Sequence, residues 1–285
     1  MSAQQIISVN TDGTYRLNSQ LLQTILTRED VKNERVAIIC AAGPARKGKS
    51  FLLNFFLRYF QHKRSADWLR VNLDEHLDGF NWTKGSEGVT TGIWLWSEPL
   101  KMSAQDGGQI CVFLMDTQGI NGNENLLALS TVLATVTLYN SRHGLKQNDI
   151  EIFHAATERG INAVENENPV QKLIFLIRDW GHAHAHSFGF EGGNEYLEAV
   201  RENHELNNTL GQHFTQLSSF LMPYPGDVIS EDDFEGQVKL IEGEFVKSLD
   251  KLIPGVVNEI EVNTVLRTGQ DVYKRFNDYF AALMQ

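Results

Sequence analysis

The feature that most constrains the fold is one eight-residue segment, Gly43-Pro-Ala-Arg-Lys-Gly-Lys-Ser50, which fits the pattern G-x-x-x-x-G-K-[S/T]. It follows an apolar run at 36–42 and precedes a stretch with helical spacing at 49–60, the context that a phosphate-binding loop requires. A random chain of this length would contain the pattern on the order of 1% of the time. We therefore predict a phosphate loop, with Lys49 neutralising the β- and γ-phosphates and the Ser50 hydroxyl on Mg²⁺.

The main chain of this loop is expected to do most of the binding. Glycines let the backbone wind closely around phosphate oxygens, and amides at a helix N-terminus favour anions. The loop residues predicted to contact the nucleotide are Gly43, Ala45, Arg46, Lys47, Gly48, Lys49, Ser50 and Phe51.

Short apolar runs alternate with helical segments along the first two thirds of the chain. The runs are rich in Ile, Val and Phe, as strands buried on both faces must be, and lie at 36–42, 93–96, 110–115 and 173–177. The segments with helical spacing lie at 49–60, 126–139 and 149–164. This alternation predicts an α/β fold with a central, mostly parallel sheet flanked by helices.

The remaining third continues the same pattern. We predict a helix at 195–210, a strand at 214–222, a helix from 234 to 252 that Pro254 and Gly255 stop, and an amphipathic helix within 262–284. The expected division is a main domain at 1–255 and a C-terminal helical segment at 256–285.

Composition excludes several classes of protein. The formal net charge of -11 over 285 residues gives no general attraction to nucleic-acid phosphates, so nucleic acid is not an expected partner. No run of about 18 apolar residues occurs, so no membrane span is expected and the chain is predicted to be soluble and cytoplasmic. The two cysteines, Cys40 and Cys111, lie in apolar runs and suggest packing residues rather than a disulfide framework.

Two further motifs are typical of a nucleotide site. Asp116-Thr-Gln-Gly119 ends a predicted strand, where a carboxylate holds Mg²⁺ and the glycine amide meets the γ-phosphate. Thr90 precedes another strand, on a loop suited to complete Mg²⁺ coordination. Alone, D-x-x-G is a weak signal and Thr90 is more simply a turn hydroxyl; together with the phosphate loop they predict Ser50, Thr90 and Asp116 as metal ligands.

Arg178 and Asp179 follow the strand at 173–177 and suggest which base is bound. A carboxylate can accept both the ring N–H and the exocyclic amine of guanine, whereas adenine lacks that ring proton and leaves the acceptor unpaired. Guanine is therefore the predicted base, and a plain salt bridge is the simpler alternative if the pair is considered without its neighbours.

Three alternating histidines, His182, His184 and His186, have no acidic or cysteine partner nearby in the sequence. We therefore assign them to an exposed loop rather than to a zinc site.

These segments, in order, resemble the GTPase domain of the atlastins, within the dynamin-like superfamily that includes the guanylate-binding proteins. The matching stretches are GPARKGKSFLLNFFLRYF, FNWTKGSEGVTTGIWLWSEP, FLMDTQG, KLIFLIRDW and FLMPYPG, and the resemblance covers residues 6 to 254. Arg-Asp, in place of the Asn-Lys-x-Asp of small GTPases, is characteristic of this branch.

The resemblance implies an enlarged Ras-like P-loop GTPase domain as the fold. It also implies GTP or GDP and Mg²⁺ as ligands, and Arg46 as an arginine finger supplied in cis. It also implies a nucleotide-dependent homodimer, with the loop at 223–234 capping the base at the interface, and a place on the cytosolic face of the endoplasmic reticulum in membrane tethering and fusion. The predicted catalytic residues are thus Arg46, Lys49 and Thr90, with Gly119, Arg178 and Asp179 also contacting nucleotide. Ile120 stands where Ras-like enzymes carry the water-orienting glutamine.

Two departures from the atlastin pattern keep alternatives open. The stretch between Gly119 and Tyr139 is shorter than expected, which removes part of the second switch, and the membrane-associated regions of atlastins are missing. A nucleotide-dependent interaction module with little hydrolysis, and a GTPase of the guanylate-binding type, therefore remain as alternatives. An excised catalytic portion and a soluble relative are equally compatible with the sequence.

Overall fold

The computed structural model of the chain describes residues 2–82, 90–119, 124–164, 171–203, 213–262 and 264–284. Within them, strands alternate with helices, and the structure adds to the predicted elements two strands and a helix before residue 35 and short strands at 100–103 and 267–268. The strands are β1 Ala3–Val9, β2 Tyr15–Leu17, β3 Arg35–Ala42, β4 Ile93–Trp96, β5 Leu100–Ser103, β6 Gln109–Thr117, β7 Val136–Arg142, β8 Lys172–Arg178, β9 Gln216–Leu221 and β10 Arg267–Thr268. The helices are α1 Ser19–Leu26, α2 Lys49–Gln61, α3 Glu124–Leu133, α4 Gln147–Ala163, α5 Phe190–Asn203, α6 Gly243–Glu259 and α7 Gly269–Leu283.

All these strands belong to one sheet, whose main path runs β2-β1-β4-β6-β3-β7-β8-β9. The five strands β6, β3, β7, β8 and β9 are parallel, whereas β1, β2, β4, β5 and β10 pair antiparallel with their neighbours. The predicted α/β domain with a central sheet flanked by helices is confirmed, and the sheet is mixed, with a parallel core of five strands and five antiparallel strands around it. Because β3 has β6 on one side and β7 on the other, the chain reverses its winding direction at β3, where ligands bind in open α/β sheets.

The central strand β3 is covered on both faces, as its uninterrupted apolar sequence predicts. Val36, Ile38 and Cys40 pack into the core beneath α1, α3, α4 and α7. Ala37 and Ile39, which point the opposite way, pack into a second core beneath α2 and α6. This alternation follows from the two-residue period of a strand.

One predicted strand has the opposite direction to that expected. The run at 93–96 forms β4, but β4 is antiparallel to β6 and to β1, rather than part of the parallel core. Residues 97–108 between β4 and β6 contain the short strand β5 and no helix. A parallel pairing needs a crossover connection, usually helical, so this connection favours the antiparallel arrangement.

Three predicted helices have different bounds. The segment at 126–139 divides into α3, which ends at Leu133, and the strand β7, which begins at Val136. The helix predicted from 234 to 252 begins only at Gly243 and runs through Pro254 to Glu259. Its buried stripe continues past the proline at Val256 and Val257, so burial outweighs the local preference to stop. The helix predicted at 195–210 begins earlier, at Phe190, and its last residues, 204–210, lie outside the described part of the chain.

The amphipathic C-terminal helix packs on the chain's own core. Thr268 caps α7 through a capping box with Asp271, and Val272, Phe276, Tyr279 and Leu283 are buried in the core beneath α1, α3 and α4. The predicted division at residue 255 falls within α6. None of the helices in the described residues combines the length and apolar character needed to cross a membrane.

Candidate functional site

The phosphate loop lies between the carboxyl end of β3 and the first turn of α2. Gly43 has φ 124°, and a Cβ there would lie 2.6 Å from the carbonyl oxygen of Asn140. Gly48 caps α2 with φ 73°, and a Cβ there would lie 2.2 Å from Nη1 of Arg178. Both glycines of the motif are therefore required by backbone conformation, and at Gly43 a neighbouring main-chain atom also excludes a side chain.

Lys49 is buried beneath this loop. Its ammonium donates to the carbonyl oxygens of Gly43 at 3.2 Å and Pro44 at 3.0 Å, and the residue is 6% exposed. Burial lowers the pKa of Lys49, and the Asp116 carboxylate opposes that shift. The ammonium is thus held in a poorly solvated position, where a phosphate would be a stronger partner than two carbonyl oxygens.

The three predicted metal ligands meet at one point. The Ser50 hydroxyl donates to Oδ2 of Asp116 at 2.5 Å, the Thr90 hydroxyl donates to the same oxygen at 3.2 Å, and the two hydroxyl oxygens are 3.3 Å apart. Asp116 is 2% exposed, and burial raises its pKa. Its second oxygen, Oδ1, is buried with no hydrogen-bond partner among the described residues. An all-oxygen set with one unsatisfied carboxylate oxygen fits Mg²⁺, a hard cation that keeps several of its waters.

The segment after β6 closes against the phosphate loop. A Cβ on Gly119 would lie 2.4 Å from the amide nitrogen of Ala45, so the two predicted contact residues are in direct contact. Gln118 fixes this arrangement through two hydrogen bonds of 2.8 Å. Its main-chain N–H donates to the Gly92 carbonyl, and its side-chain Oε1 accepts from the Gly92 main-chain N–H. The stretches at 90–92 and 116–119 therefore form two connected walls, whereas Ile120 lies outside the described residues.

Arg178 ends β8 and contacts the phosphate loop. Its Nη1 donates to the Lys47 carbonyl at 2.9 Å, and its guanidinium carbon lies 5.7 Å from the centre of the Phe245 ring. The side chain is buried, and burial lowers its pKa. Arg178 thus connects the predicted base end of the site to the phosphate end.

Asp179 follows in a left-handed conformation, with φ 55°. Its Oδ2 forms an ion pair with Nε of Arg142, and its Oδ1 is buried with no hydrogen-bond partner among the described residues. The side chain is 10% exposed, compared with 45% for Arg142. A buried, unsatisfied carboxylate oxygen at this position suits an N–H donor such as the guanine edge.

The loop at 223–234 lies beside this base end. Tyr224 is 39% exposed, and its hydroxyl donates to Oδ1 of Asp227 at 3.0 Å. The pKa of Tyr224 is raised, chiefly by desolvation and by that hydrogen bond, and the charge of Asp179 contributes as well. The residue before this loop accepts from the main-chain amide of Trp180 at 3.0 Å, so the loop begins beside Asp179.

Sequence reasoning missed two residues at the carboxyl end of β7. Asn140 is fully buried and donates through Nδ2 to the Lys47 carbonyl at 2.5 Å, and Arg142 pairs with Asp179 as described. Neither belongs to a motif, and the strand that carries them was predicted as the end of a helix. Had β7 been predicted, the residues at its carboxyl end would have been candidates, because neighbouring parallel strands end at the same edge of the sheet.

The other predicted residues differ in how they face the site. Arg46 has φ 61° and an exposed side chain. The Phe51 side chain packs away from the loop against Phe55, Trp82 and Phe234, so only its main chain remains for a phosphate contact. The three alternating histidines follow Asp179 in a turn that is mostly exposed.

Comparison with known proteins identifies relatives of the whole chain. The family model described as the N-terminal domain of guanylate-binding protein matches residues 12–265. Atlastin-1 of Bos taurus is 35% identical over 300 residues, covering 99% of this chain and 54% of the relative. Atlastin-2 of Homo sapiens is 34% identical over 299 residues, covering 97% and 51%. Atlastin-2 of Xenopus laevis is 36% identical over 299 residues, covering 97% and 52%.

This chain therefore spans about half the length of these relatives. The crystal structure of a bacterial selenocysteine-specific elongation factor overlaps 65% of this chain and 26% of its own, at 14% identity. Its TM-score of 0.33 is too low to support an argument about the fold. The resemblance to atlastins expected from the motifs is confirmed by the sequence relatives.

Proposed function

Since this chain belongs to the family of the guanylate-binding protein N-terminal domain, we propose that it binds GTP with Mg²⁺ and hydrolyses it. The observation that carries the proposal is the convergence of Ser50, Thr90 and Asp116, from three separate segments, beneath the glycine loop. A chance match to the loop motif would not bring two further predicted ligands to the same point.

The phosphates would lie along the main-chain amides of residues 43–51, with the Lys49 ammonium on the β- and γ-phosphates. Ser50, Thr90 and Asp116 would hold Mg²⁺, which when bound neutralises charge on the phosphate oxygens. Gly119 would offer its amide to the γ-phosphate from the opposite wall. The magnesium would also satisfy Oδ1 of Asp116, which has no partner in the described residues.

At the other end of the site, Asp179 would accept the guanine N–H groups. Its Oδ1 has no hydrogen-bond partner among the described residues, whereas its Oδ2 is shared with Arg142. Arg178 would lie against the base, anchored by its bond to the Lys47 carbonyl. Because an adenine has no N–H at the matching ring position, it would leave the Asp179 carboxylate unpaired.

Hydrolysis would depend on Arg46. Charge develops on the γ-phosphate oxygens in the transition state, and a guanidinium that reaches them stabilises that charge. Arg46 lies in the phosphate loop itself, and its exposed side chain is free to turn inward. Since residue 120 is isoleucine, no glutamine follows Gly119 to orient the attacking water, which increases the dependence on Arg46.

We predict that Arg46→Ala slows single-turnover phosphate release by about 10³-fold or more, the range attributed to arginine fingers. The measurement uses purified protein in excess over GTP, so that product release does not limit the rate. Arg64→Ala is the matched control, because Arg64 also has a left-handed backbone, with φ 55°, but lies outside the site. If the wild-type chain hydrolyses GTP no faster than Arg46→Ala, the alternative of a GTP-dependent interaction module is favoured.

Base selection gives a second prediction. Asp179→Asn replaces one acceptor oxygen with a donor amide, so affinity for GTP should fall by at least about 10²-fold, a loss of about 3 kcal/mol. Xanthosine triphosphate has a carbonyl where guanine has its amine, and its affinity should rise in the same variant. Titration calorimetry measures both, with Asp106→Asn as the control, because this exposed carboxylate pairs with Arg35 away from the site. Equal GTP affinity in Asp179→Asn and wild type contradicts the assignment of Asp179.

For the partner and location, we propose a nucleotide-dependent homodimer through the face that contains the site, with residues 223–234 covering the base. In its full-length context the chain would act at the cytosolic face of the endoplasmic reticulum, in membrane tethering or fusion. The similarity to atlastins over nearly the whole chain supports this proposal. Light scattering without nucleotide, with GDP and with a transition-state mimic tests it, and a monomer in all three contradicts the dimer.

A further inference from the structure

A second group of metal-ligating side chains lies away from the phosphate loop. His154 and Glu158 stand one turn apart on α4, and His213 comes just before β9. One ligand atom from each residue lies within 4.8 Å of the others. His154 Nε2 is 3.6 Å from Glu158 Oε1, and the two imidazole rings are 5.8 Å apart between centroids.

The core fixes the approach of these side chains. Phe153 and Phe214, the residues next to the two histidines, stack with ring centroids 6.0 Å apart and planes 20° apart. Phe153 is 0% exposed and Phe214 is 7% exposed. Because this stacked pair is anchored inside the protein, His154 and His213 are held beside each other at its edge, and little further ordering is needed to bring them to one ligand.

An independent observation points to a missing partner. Nε2 of His154 is buried and has no hydrogen-bond partner among the described residues, which is unfavourable for a polar atom. The ordinary alternative is a His154–Glu158 ion pair across one helical turn. The two atoms of that pair are 3.6 Å apart, too far for a hydrogen bond. The pair also does not involve His213, which lies in a different part of the chain.

The donor set differs from that of the phosphate site. Two imidazole nitrogens and one carboxylate oxygen are typical of zinc with an open fourth position for water. Mg²⁺ prefers oxygen ligands alone, as at Ser50, Thr90 and Asp116. The two groups therefore select different cations.

We propose that His154, Glu158 and His213 form a site for a Zn²⁺-class divalent cation, completed by water. A cation there connects the middle of α4 to the segment just before β9. It satisfies Nε2 of His154 and cross-links two elements that are 59 residues apart in the sequence, counted from 154 to 213. The bound metal stabilises the folded chain, because the ligands are brought together only in the folded state.

The test is titration of Zn²⁺ into chelator-stripped protein by calorimetry, without nucleotide and with millimolar Mg²⁺ present to saturate the oxygen site. We expect one zinc per wild-type chain. His213→Ala and Glu158→Gln should each weaken the affinity at least tenfold, because the loss of even an outer-shell partner costs about 10- to 100-fold. Co²⁺ should give the absorption of a four-coordinate site in the wild type, and this absorption should be lost in His213→Ala.

The matched control is a triple variant, His182→Ala with His184→Ala and His186→Ala, which removes three other histidines. This variant should bind zinc as the wild type does. Unchanged zinc affinity in His213→Ala, loss of binding in the triple variant, or no binding by the wild type would each overturn the proposal. Zinc should also raise the melting temperature of the wild type and not that of His213→Ala, a comparison that is independent of GTP binding and hydrolysis.

Discussion

Two buried charges of opposite sign face each other beneath the phosphate loop. Burial raises the pKa of Asp116 and lowers the pKa of Lys49, so in both residues the charged form is disfavoured by desolvation. Their mutual attraction offsets only part of that cost. At neutral pH the two buried charges therefore lower the stability of the folded protein. Phosphate would supply a partner for Lys49, and Mg²⁺ a partner for Asp116. Binding sites commonly sacrifice stability in this way.

We predict that Asp116→Asn raises the melting temperature of the nucleotide-free protein by a few degrees, which corresponds to about 1 kcal/mol for a domain of this size. The same variant should lose Mg²⁺-dependent hydrolysis. A carboxyl whose pKa is raised on folding is most favourable when protonated, so the wild type recovers relative stability as pH falls. The difference between the two melting temperatures should therefore shrink from pH 8 towards pH 5.

Differential scanning fluorimetry at each pH provides the measurement. Other carboxyl groups titrate equally in both proteins and cancel in the difference. A difference that stays constant or grows on acidification would contradict the role given to Asp116.

At the scale of elements, the ends of β7 and β8 hold the phosphate loop from the side opposite Asp116. The single carbonyl of Lys47 accepts from Asn140 at the end of β7 and from Arg178 at the end of β8. The loop conformation therefore depends on two strands that carry no phosphate ligand themselves. A loop already held in its binding shape loses less entropy when the ligand arrives.

We predict that Asn140→Ala destabilises the protein by about 1–3 kcal/mol, because it removes a buried hydrogen bond to the Lys47 carbonyl. It should also weaken binding of a fluorescent GTP analogue, since the loop loses one of its supports. Denaturant unfolding and fluorescence titration measure the two effects. Asn10→Ala, an exposed asparagine that bonds only locally to Thr14, is the control. Unchanged GTP affinity in Asn140→Ala would show that Arg178 alone is enough to hold the phosphate loop in its binding conformation.

A site residue could be predicted from the sequence where a short local motif contains it, and not where its role depends on strand pairing. Ser50, Thr90, Asp116 and Asp179 each belong to a short pattern next to a predicted strand. Since Asp116 and Asp179 end parallel strands, the predicted sheet places them at one edge. The boundary between α3 and β7 has no glycine or proline, and a strand buried on both faces has the same continuous apolar character as a buried helix. Asn140 and Arg142 were missed for that reason. Their roles arise only from the pairing of β7 with β3 and β8.

Across the whole molecule, the last helix, α7, packs into the same core as the first helix, α1. Helix α7 contacts α1, α3 and α4, and Nη2 of Arg275 donates to the Val132 carbonyl at 2.9 Å. The short strand β10, directly before it, pairs with the amino end of β3. The sequence predicted the helix and its apolar stripe, but an amphipathic pattern does not identify the surface it covers.

We predict that Phe276→Ala lowers the free energy of unfolding by about 3–5 kcal/mol, the cost of removing a fully buried aromatic ring. Phe280→Ala, four residues on and only partly buried, should cost clearly less. Guanidinium unfolding with two-state analysis compares them. Equal losses in the two variants would mean that α7 does not pack through the Phe276 face.

The position of α7 has a consequence during translation. The sheet and the helices α1, α3 and α4 leave the ribosome before the helix that covers them. A nascent chain that has emerged only to residue 262 lacks α7, so it exposes an apolar surface around Leu22, Leu129 and Phe153, which chaperones can bind. A pause in synthesis before α7 has emerged would therefore yield an intermediate that is prone to aggregate, although the residues of the phosphate loop, Asp116 and Asp179 have already been synthesised.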